Sequence, residues 1–142
     1  MKKILTGIVF LTFTNLCLSQ EAYLCIPTAI SGVKFNSSSG RWEHANFRIG
    51  DRKKILKKAT DKWEWRTFGQ DYLFSACNSG GEPANKNGFN SAGYLFCDVL
   101  GGNMRINKNT LRYIETYEIG FINGKDNDSD TPYIEIGTCS PL

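Results

Sequence analysis

The sequence has few residues that commonly carry metal or nucleophile chemistry. It contains one histidine, His44, among 142 residues, and its cysteines show no Cys-x-x-Cys spacing. A tetrahedral zinc site needs four nitrogen or sulfur ligands, usually at paired close spacings. The chain also lacks the Gly-x-Ser-x-Gly turn that exposes a catalytic serine. These absences argue against a zinc site and against serine-hydrolase chemistry, and we expect no metal and no cofactor.

Long apolar segments are also scarce. The one candidate, residues 4–18, is interrupted by threonine, glycine and asparagine, and it is shorter than the roughly 20 apolar residues that span a bilayer. Lys2 and Lys3 precede it, and small residues two apart lie at its end, at Cys17 and Ser19. This is the pattern of a secretory signal peptide. We predict a signal peptide over residues 1–19 and a single domain over residues 20–142, periplasmic or secreted, with no membrane span after cleavage.

Two alternatives for this segment are a retained N-terminal anchor and a lipid attached at Cys17. Bacterial lipoproteins usually carry a small residue directly before the modified cysteine, whereas this chain has Leu16. A signal peptide cleaved after Ser19 is therefore favoured.

A strong excess of one charge is missing as well. The chain carries a net charge of +3, and Lys2 and Lys3 of the predicted signal peptide supply two of those charges. A nearly neutral domain is poorly suited to non-specific binding of nucleic acids or membrane surfaces, so we predict no nucleic-acid partner. Basic residues are concentrated in residues 48–66 and acidic residues in residues 113–142. These segments form either two solvated faces or a dipolar surface that steers a charged partner.

Four cysteines follow the predicted signal peptide, at Cys25, Cys77, Cys97 and Cys139. An even number in a small exported domain indicates two disulfides, for which three pairings are possible. We favour Cys25–Cys139 and Cys77–Cys97. The second pairing is supported by the repeated Tyr-Leu-Phe at residues 72–74 and 94–96, because two aligned strands would bring their inward-facing cysteines together.

Short runs of β-branched and aromatic residues alternate with turn residues along the chain. This pattern predicts an all-β fold, a small antiparallel up-and-down barrel or sandwich of about eight strands with two disulfides. The predicted strands cover residues 32–36, 41–47, 52–58, 62–68, 71–77, 94–100, 104–107, 111–122 and 133–139. In residues 111–122 the face that carries Tyr113 and Tyr117 is apolar except for Glu115. Residues 52–65 also have helical spacing, and there a strand is favoured over a helix.

Aromatic side chains are the candidate binding residues. Trp63 and Trp65 share a strand face and either lie in the core or, if exposed, stack on a sugar, a base or a protein partner, as Trp42 would. The Gly- and Asn-rich segment 78–92 is a long loop that carries recognition or has no function. Phe89 is its natural anchor, and Tyr94 follows it.

Two further patterns suggest a catalytic or a metal site. His44 beside Glu43 suggests an acid–base pair of a small hydrolase or nuclease, but adjacent strand residues point to opposite faces. The acidic segment 126–130 resembles a calcium loop in its alternating carboxylates, yet Thr131 and Gly137 stand where that loop needs Gly and Glu. We interpret the segment as a solvated loop.

Several sequence segments resemble small exported proteins of bacteria and their phages that have no assigned activity. They are Gly32-Val33-Lys34-Phe35, Trp42, Tyr94-Leu95-Phe96-Cys97-Asp98, Leu111-Arg112-Tyr113 and residues 131–139, Thr-Pro-Tyr-Ile-Glu-Ile-Gly-Thr-Cys. The resemblance covers most of the domain and implies no catalytic residue. In size, strand number and terminal disulfide the chain is also similar to periplasmic lysozyme inhibitors, which are eight-stranded barrels. That likeness is one of architecture.

These observations predict a non-enzymatic binding module of the cell envelope with a protein or glycan partner. Its sharpest form is an inhibitor of a cell-wall hydrolase. The alternatives are a small secreted hydrolase or nuclease that uses His44, and a structural envelope protein or phage-borne factor that blocks a surface receptor.

Overall fold

The computed structural model describes residues 21–60, 62–70, 75–81 and 88–142. The predicted signal peptide, the first residues of the strand predicted at 71–77 and the centre of the 78–92 loop lie outside the described residues.

The described chain forms nine antiparallel strands and one short helix, because its apolar residues recur at every second position. The elements are β1 (Ala22–Asn36), β2 (Arg41–Asn46), β3 (Lys54–Ala59), β4 (Lys62–Thr67), β5 (Ser75–Asn78), β6 (Tyr94–Val99), β7 (Gly102–Asn107), β8 (Arg112–Tyr117), α1 (Ile119–Ile122) and β9 (Tyr133–Pro141).

Eight of these strands close into a barrel. From β3 to β9 each strand pairs with the next one along the chain, and β1 joins β3 on one side and β9 on the other. The ninth strand, β2, pairs only with the outer half of β1, from Ser31 to Asn36, and the two strands form an arm beside the barrel. Closure leaves no free edge between β3 and β9, which removes sites for uncontrolled strand pairing. The predicted antiparallel barrel is confirmed.

The barrel interior is filled by the inward-facing residues of alternate positions. Large buried side chains come from β3 to β8 and include Leu56, Trp65, Leu95, Met104 and Ile106. Each is at most 2% exposed, and full burial of such a side chain contributes about 1.5–3 kcal/mol. The interior is therefore a packed core.

Both favoured disulfides are present, Cys25–Cys139 and Cys77–Cys97. Cys25 on β1 lies opposite Cys139 on β9, so the first bridge fastens the seam that closes the barrel. Cys77 on β5 lies opposite Cys97 on β6. The favoured second pairing is thus confirmed, while residues 72–74, on which its argument partly rested, lie outside the described residues.

Two predicted elements differ from the structure, and one alternative is decided by it. Residues 54–59 form a strand, as favoured over a helix, but β1 begins ten residues before the predicted strand, at Ala22. The strand predicted over 111–122 ends at Tyr117 and is followed by α1. Gly120 in α1 permits a close approach of the following loop, because a Cβ there would lie 1.8 Å from the carbonyl oxygen of Asp130.

Candidate functional site

Three of the predicted binding residues lie in the core. Trp63, Trp65 and Phe89 are 2%, 0% and 2% exposed. Trp63 packs edge-to-face on Phe89 with ring centroids 5.4 Å apart, so the 78–92 loop is anchored to the barrel by Phe89. Of the two alternatives for Trp63 and Trp65, the structure shows the core, because their shared face is the inward one, and these two rings are not available to a partner.

Trp42 lies on the arm and is partly buried. Its indole nitrogen donates a 2.8 Å hydrogen bond to Asp126 Oδ1, and its ring meets those of Phe35 and Phe121 at centroid distances of 5.7 and 5.5 Å. These contacts hold the arm against the segment that follows α1. Trp42 is thus occupied by internal contacts and offers only part of its surface to a partner.

Tyr94 is the predicted binding residue that remains well exposed, at 44%. It lies at one edge of a groove of about 640 Å³ on the outer face of β6 to β9. We call this the arginine groove. Its lining residues are Thr28, Tyr94, Arg105, Ile106, Asn107, Thr110, Arg112, Tyr113, Ile114, Ile136, Gly137 and Thr138.

Strand register explains why these side chains meet. Arg105 lies opposite Ile114, which in turn lies opposite Ile136, and this row crosses three strands on the outer face. The neighbouring row runs from Tyr94 through residues 107 and 112 to 138. Arg112 is therefore a diagonal neighbour of Arg105, at a spacing within reach of long side chains. Two arginines thus stand on the same patch as two exposed isoleucines.

The two arginines of the groove, Arg105 and Arg112, form no ion pair among the described residues. None of the described residues that line the groove is acidic. The guanidinium of Arg105 lies 5.7 Å from the centroid of the Phe96 ring, a cation–π contact that holds the side chain over the sheet. The groove therefore presents two positive charges to solvent.

The floor of the groove is apolar and reaches the barrel interior. Gly137 has no side chain, and a Cβ at this position would lie 2.4 Å from Cε1 of Tyr113. The ring of Tyr113 therefore packs directly beneath the β9 backbone. On the other side of β9, Thr28 at a β-bulge donates a hydrogen bond to the carbonyl of Ile136. Bulges of this kind often occur beside functional sites, where they change the direction of side chains.

A second cluster lies inside the barrel, where a charged residue stands among apolar ones. Glu115, 1% exposed, accepts hydrogen bonds from Trp65 Nε1 at 2.7 Å and from Tyr133 Oη at 2.9 Å. Lys54 Nζ lies 3.3 Å from Glu115 Oε1. Burial and the adjacent Glu115 raise the pKa of Tyr133. Three donors thus compensate one buried carboxylate, as a buried charge requires.

His44 lies on the arm, exposed, beside a cavity of about 270 Å³ that Glu43 and Asp128 also line. The Glu43 carboxylate accepts hydrogen bonds from Ser39 and Asn36, which lower its pKa. These bonds close the β1–β2 turn. No hydrogen bond joins His44 to a carboxylate in the described ranges, so the geometry does not assemble the acid–base pair considered for a hydrolase.

Two of the three carboxylates of the 126–130 segment accept internal hydrogen bonds. Asp126 accepts from Trp42, and Asp130 accepts from Tyr117 and Asn123. Within the part of the chain that the structure describes, no three His, Cys, Asp or Glu residues gather as a metal site would require. The segment serves to hold the arm and α1 in place.

Comparison with known proteins adds no relative to this picture: no protein-family model, no curated protein and no solved structure matches the chain. Among the described residues, no helix is long and apolar enough to cross a membrane.

Sequence reasoning found Tyr94 but missed the two arginines and the interior carboxylates. Glu115 carried a signal, because it interrupts an apolar strand face. Glu135 carried the same signal in the Tyr-Ile-Glu-Ile segment, where it shares the face of Tyr133 and Cys139. Arg105 and Arg112 carried none, because isolated arginines on strands are ordinary surface residues.

Proposed function

We propose that this protein is an exported, non-enzymatic binding module that docks a partner protein in the arginine groove. The observation that carries the proposal is that two arginines, Arg105 and Arg112, form no ion pair with described acidic residues and lie beside exposed isoleucine and tyrosine side chains. Arginine and tyrosine are the residues most often found at the energetic centre of protein interfaces. The two disulfides and the closed barrel provide the rigid scaffold that such a surface needs.

The chemistry of the groove specifies the partner. Two guanidinium groups that form no ion pair with a described acidic residue favour carboxylates, which they bind in a bidentate manner. Ile114 and Ile136 are 38% and 46% exposed, so the partner also needs an aliphatic or aromatic contact. Neutral glycans fit less well, because Tyr94 is the one exposed aromatic ring among the described lining residues. We therefore favour an acidic protein surface with apolar residues beside its carboxylates.

An inhibitor of a cell-wall hydrolase is the narrower form of this proposal. Glycoside hydrolases carry two carboxylates across the scissile bond, roughly 5–10 Å apart. Arg105 and Arg112, as diagonal neighbours on adjacent strands, have Cβ atoms at a comparable spacing of roughly 7 Å. Two arginines on one patch match two carboxylates in one cleft, and this correspondence favours a hydrolase over other acidic partners.

The proposal is tested with the purified, oxidised protein as bait for envelope and extracellular proteins. We expect a stoichiometric partner that is retained by wild type and lost with Arg105→Ala/Arg112→Ala. Each hot-spot arginine contributes about 2 kcal/mol or more, so one truncation should weaken the measured Kd about thirtyfold. Arg41→Ala/Arg48→Ala is the matched control, because it removes two exposed arginines outside the groove.

The narrower form is tested in the same preparations by the rate at which lysozymes clear a cell-wall suspension. Inhibition by wild type and by the Arg41/Arg48 control, with none by the groove variant, supports it. Retention of the partner by the groove variant would overturn the docking site. If wild type retains a partner but does not inhibit lysozymes, the binding proposal stands and the inhibitor hypothesis is excluded.

A further inference from the structure

A pair of carboxylates lies face to face inside the barrel. Glu115 on β8 and Glu135 on β9 are directly opposite in the strand register, and both are inward-facing, at 1% and 0% exposure. Like charges at opposite positions of an antiparallel pair repel each other, and burial strengthens that repulsion. Two ionised carboxylates would be costly here, so the pair needs either another positive charge or a proton.

The two glutamates differ in the hydrogen-bond donors that surround them. Glu115 has three donors, including the Lys54 ammonium. Among the described residues Glu135 has one donor, the Tyr113 hydroxyl, at 2.8 Å from Oε1. Its other oxygen, Oε2, is buried and has no hydrogen-bond partner in the described part of the chain. The compensating donors are thus gathered on Glu115, and Glu135 is the member suited to be neutral.

The other charges near Glu135 do not change this assignment. Lys54 on β3, Arg52 just before β3, and Tyr113 through its hydrogen bond all favour the ionised form. They are outweighed by burial, the largest effect, and by the repulsion from Glu115, so that the pKa of Glu135 is raised. Among the described residues, Tyr133 is a further titratable group near the pair, and its hydroxyl donates a hydrogen bond to Glu115.

We propose that the Glu115–Glu135 pair is a proton-binding site, which holds one proton on Glu135 and links the floor of the arginine groove to pH. The link is Tyr113. Its ring packs under Gly137 at the groove floor, and its hydroxyl donates to Glu135. Loss of the proton places a second negative charge behind the groove, directly beneath a side chain that lines it.

The sign of the pH effect follows from the raised pKa. Stabilisation by the neutral Glu135 is fully present below the ordinary pKa of a glutamate, about 4.5, and is lost as the pH rises through the raised value in the folded protein. Above the folded-state pKa, each unit by which that pKa exceeds the ordinary value makes the equilibrium constant for unfolding about tenfold larger than it is at low pH. The negative charge also reduces the positive potential of the groove, so affinity for an acidic partner falls over the same pH range.

Carbon-13 NMR of wild-type protein with labelled glutamate carboxyl carbons tests the site without any partner. We expect one carboxyl that remains protonated well above pH 4.5, and whose resonance is absent from Glu135→Gln. Glu118→Gln, at an exposed glutamate just after β8, is the matched control and should keep that resonance. A spectrum in which every glutamate titrates in its ordinary range would overturn the proposal.

The stability measurement gives a second readout. Urea unfolding should show wild type and Glu118→Gln losing stability between pH 4.5 and the pH at which the labelled carboxyl titrates, while Glu135→Gln loses none over that window. If Glu135→Gln fails to fold, the NMR titration of wild type still shows whether one glutamate carboxyl keeps its proton above pH 4.5. A parallel decline in all three proteins would contradict the assignment to Glu135.

The link to the groove rests on the proposed function and is measured separately. Partner affinity should fall across the titration of Glu135 in wild type and stay level in Glu135→Gln. A titrating carboxyl with unchanged affinity would refute the link but keep the proton site. Absence of any partner would count against the proposed function alone.

Discussion

Glu115 is the residue at which the barrel departs most from an apolar interior. Its carboxylate is compensated by Lys54, Trp65 and Tyr133, which come from β3, β4 and β9. The basic segment 48–66 and the acidic segment 113–142 thus meet inside the barrel through Lys54 and Glu115. Part of the charge asymmetry along the sequence is a packed ion pair and not two solvated faces.

Substitution of Lys54 tests the energetic role of that pair. Lys54→Met removes the ammonium and keeps most of the side-chain length. We expect a loss of about 3–5 kcal/mol in the free energy of unfolding, because removal of one partner leaves a buried charge uncompensated. Urea unfolding followed by tryptophan fluorescence measures it. Lys53→Met is the control at an exposed neighbouring position, and equal losses in the two variants would contradict the role given to Lys54.

Among the elements, the β1–β2 arm is the one with least support. β2 pairs with β1 alone, and within the described residues the arm is tied to the α1 segment through Trp42, which meets Phe121 and Asp126. Segments with few buried contacts open locally at a lower free energy than the core. The arm should therefore open independently of the barrel.

Trp42→Ala tests this independence by amide hydrogen exchange. The substitution removes one hydrogen bond and two ring contacts, together worth about 1–3 kcal/mol. We expect exchange in β2 to accelerate about ten- to a hundredfold, with exchange in β6 and β7 unchanged. Arg41→Ala, on the same strand, should leave both rates as they are. Equal acceleration in β2 and β7 would mean that the arm and the barrel unfold together.

At the scale of the whole molecule, closure depends on the pairing of β1 with β9. Cys25–Cys139 joins residues 114 apart across that seam, whereas Cys77–Cys97 joins residues 20 apart. A disulfide restricts the unfolded chain more when the loop it closes is longer. The two bridges should therefore differ in their contribution to stability.

Removal of each bridge provides the comparison. Cys25→Ala/Cys139→Ala should lose about 4–5 kcal/mol and Cys77→Ala/Cys97→Ala about 3 kcal/mol, by the chain-entropy argument. Guanidinium unfolding of the two variants and wild type measures the difference. The reverse order would show that local packing around Cys77, and not loop length, decides the contribution.

The sequence by itself determined the local pattern of this protein. Alternating apolar residues and regularly spaced turn residues indicate strands, because a strand directs successive side chains to opposite faces. The same alternation aligned Cys77 with Cys97. An even cysteine count indicated two bridges. These features depend on residues near one another in the chain, so they were predictable.

Tertiary structure alone decided which faces point inward and which residues meet. Trp63 and Trp65 share a face, but only closure of the barrel makes that face the core. Glu115 meets Lys54 across 61 positions, and Arg105 meets Arg112 through strand register. The alternating pattern does not distinguish the inward face of a strand from the outward face when both faces carry aromatic or charged residues. That choice follows from how eight strands close around one interior, which is a non-local property of the chain.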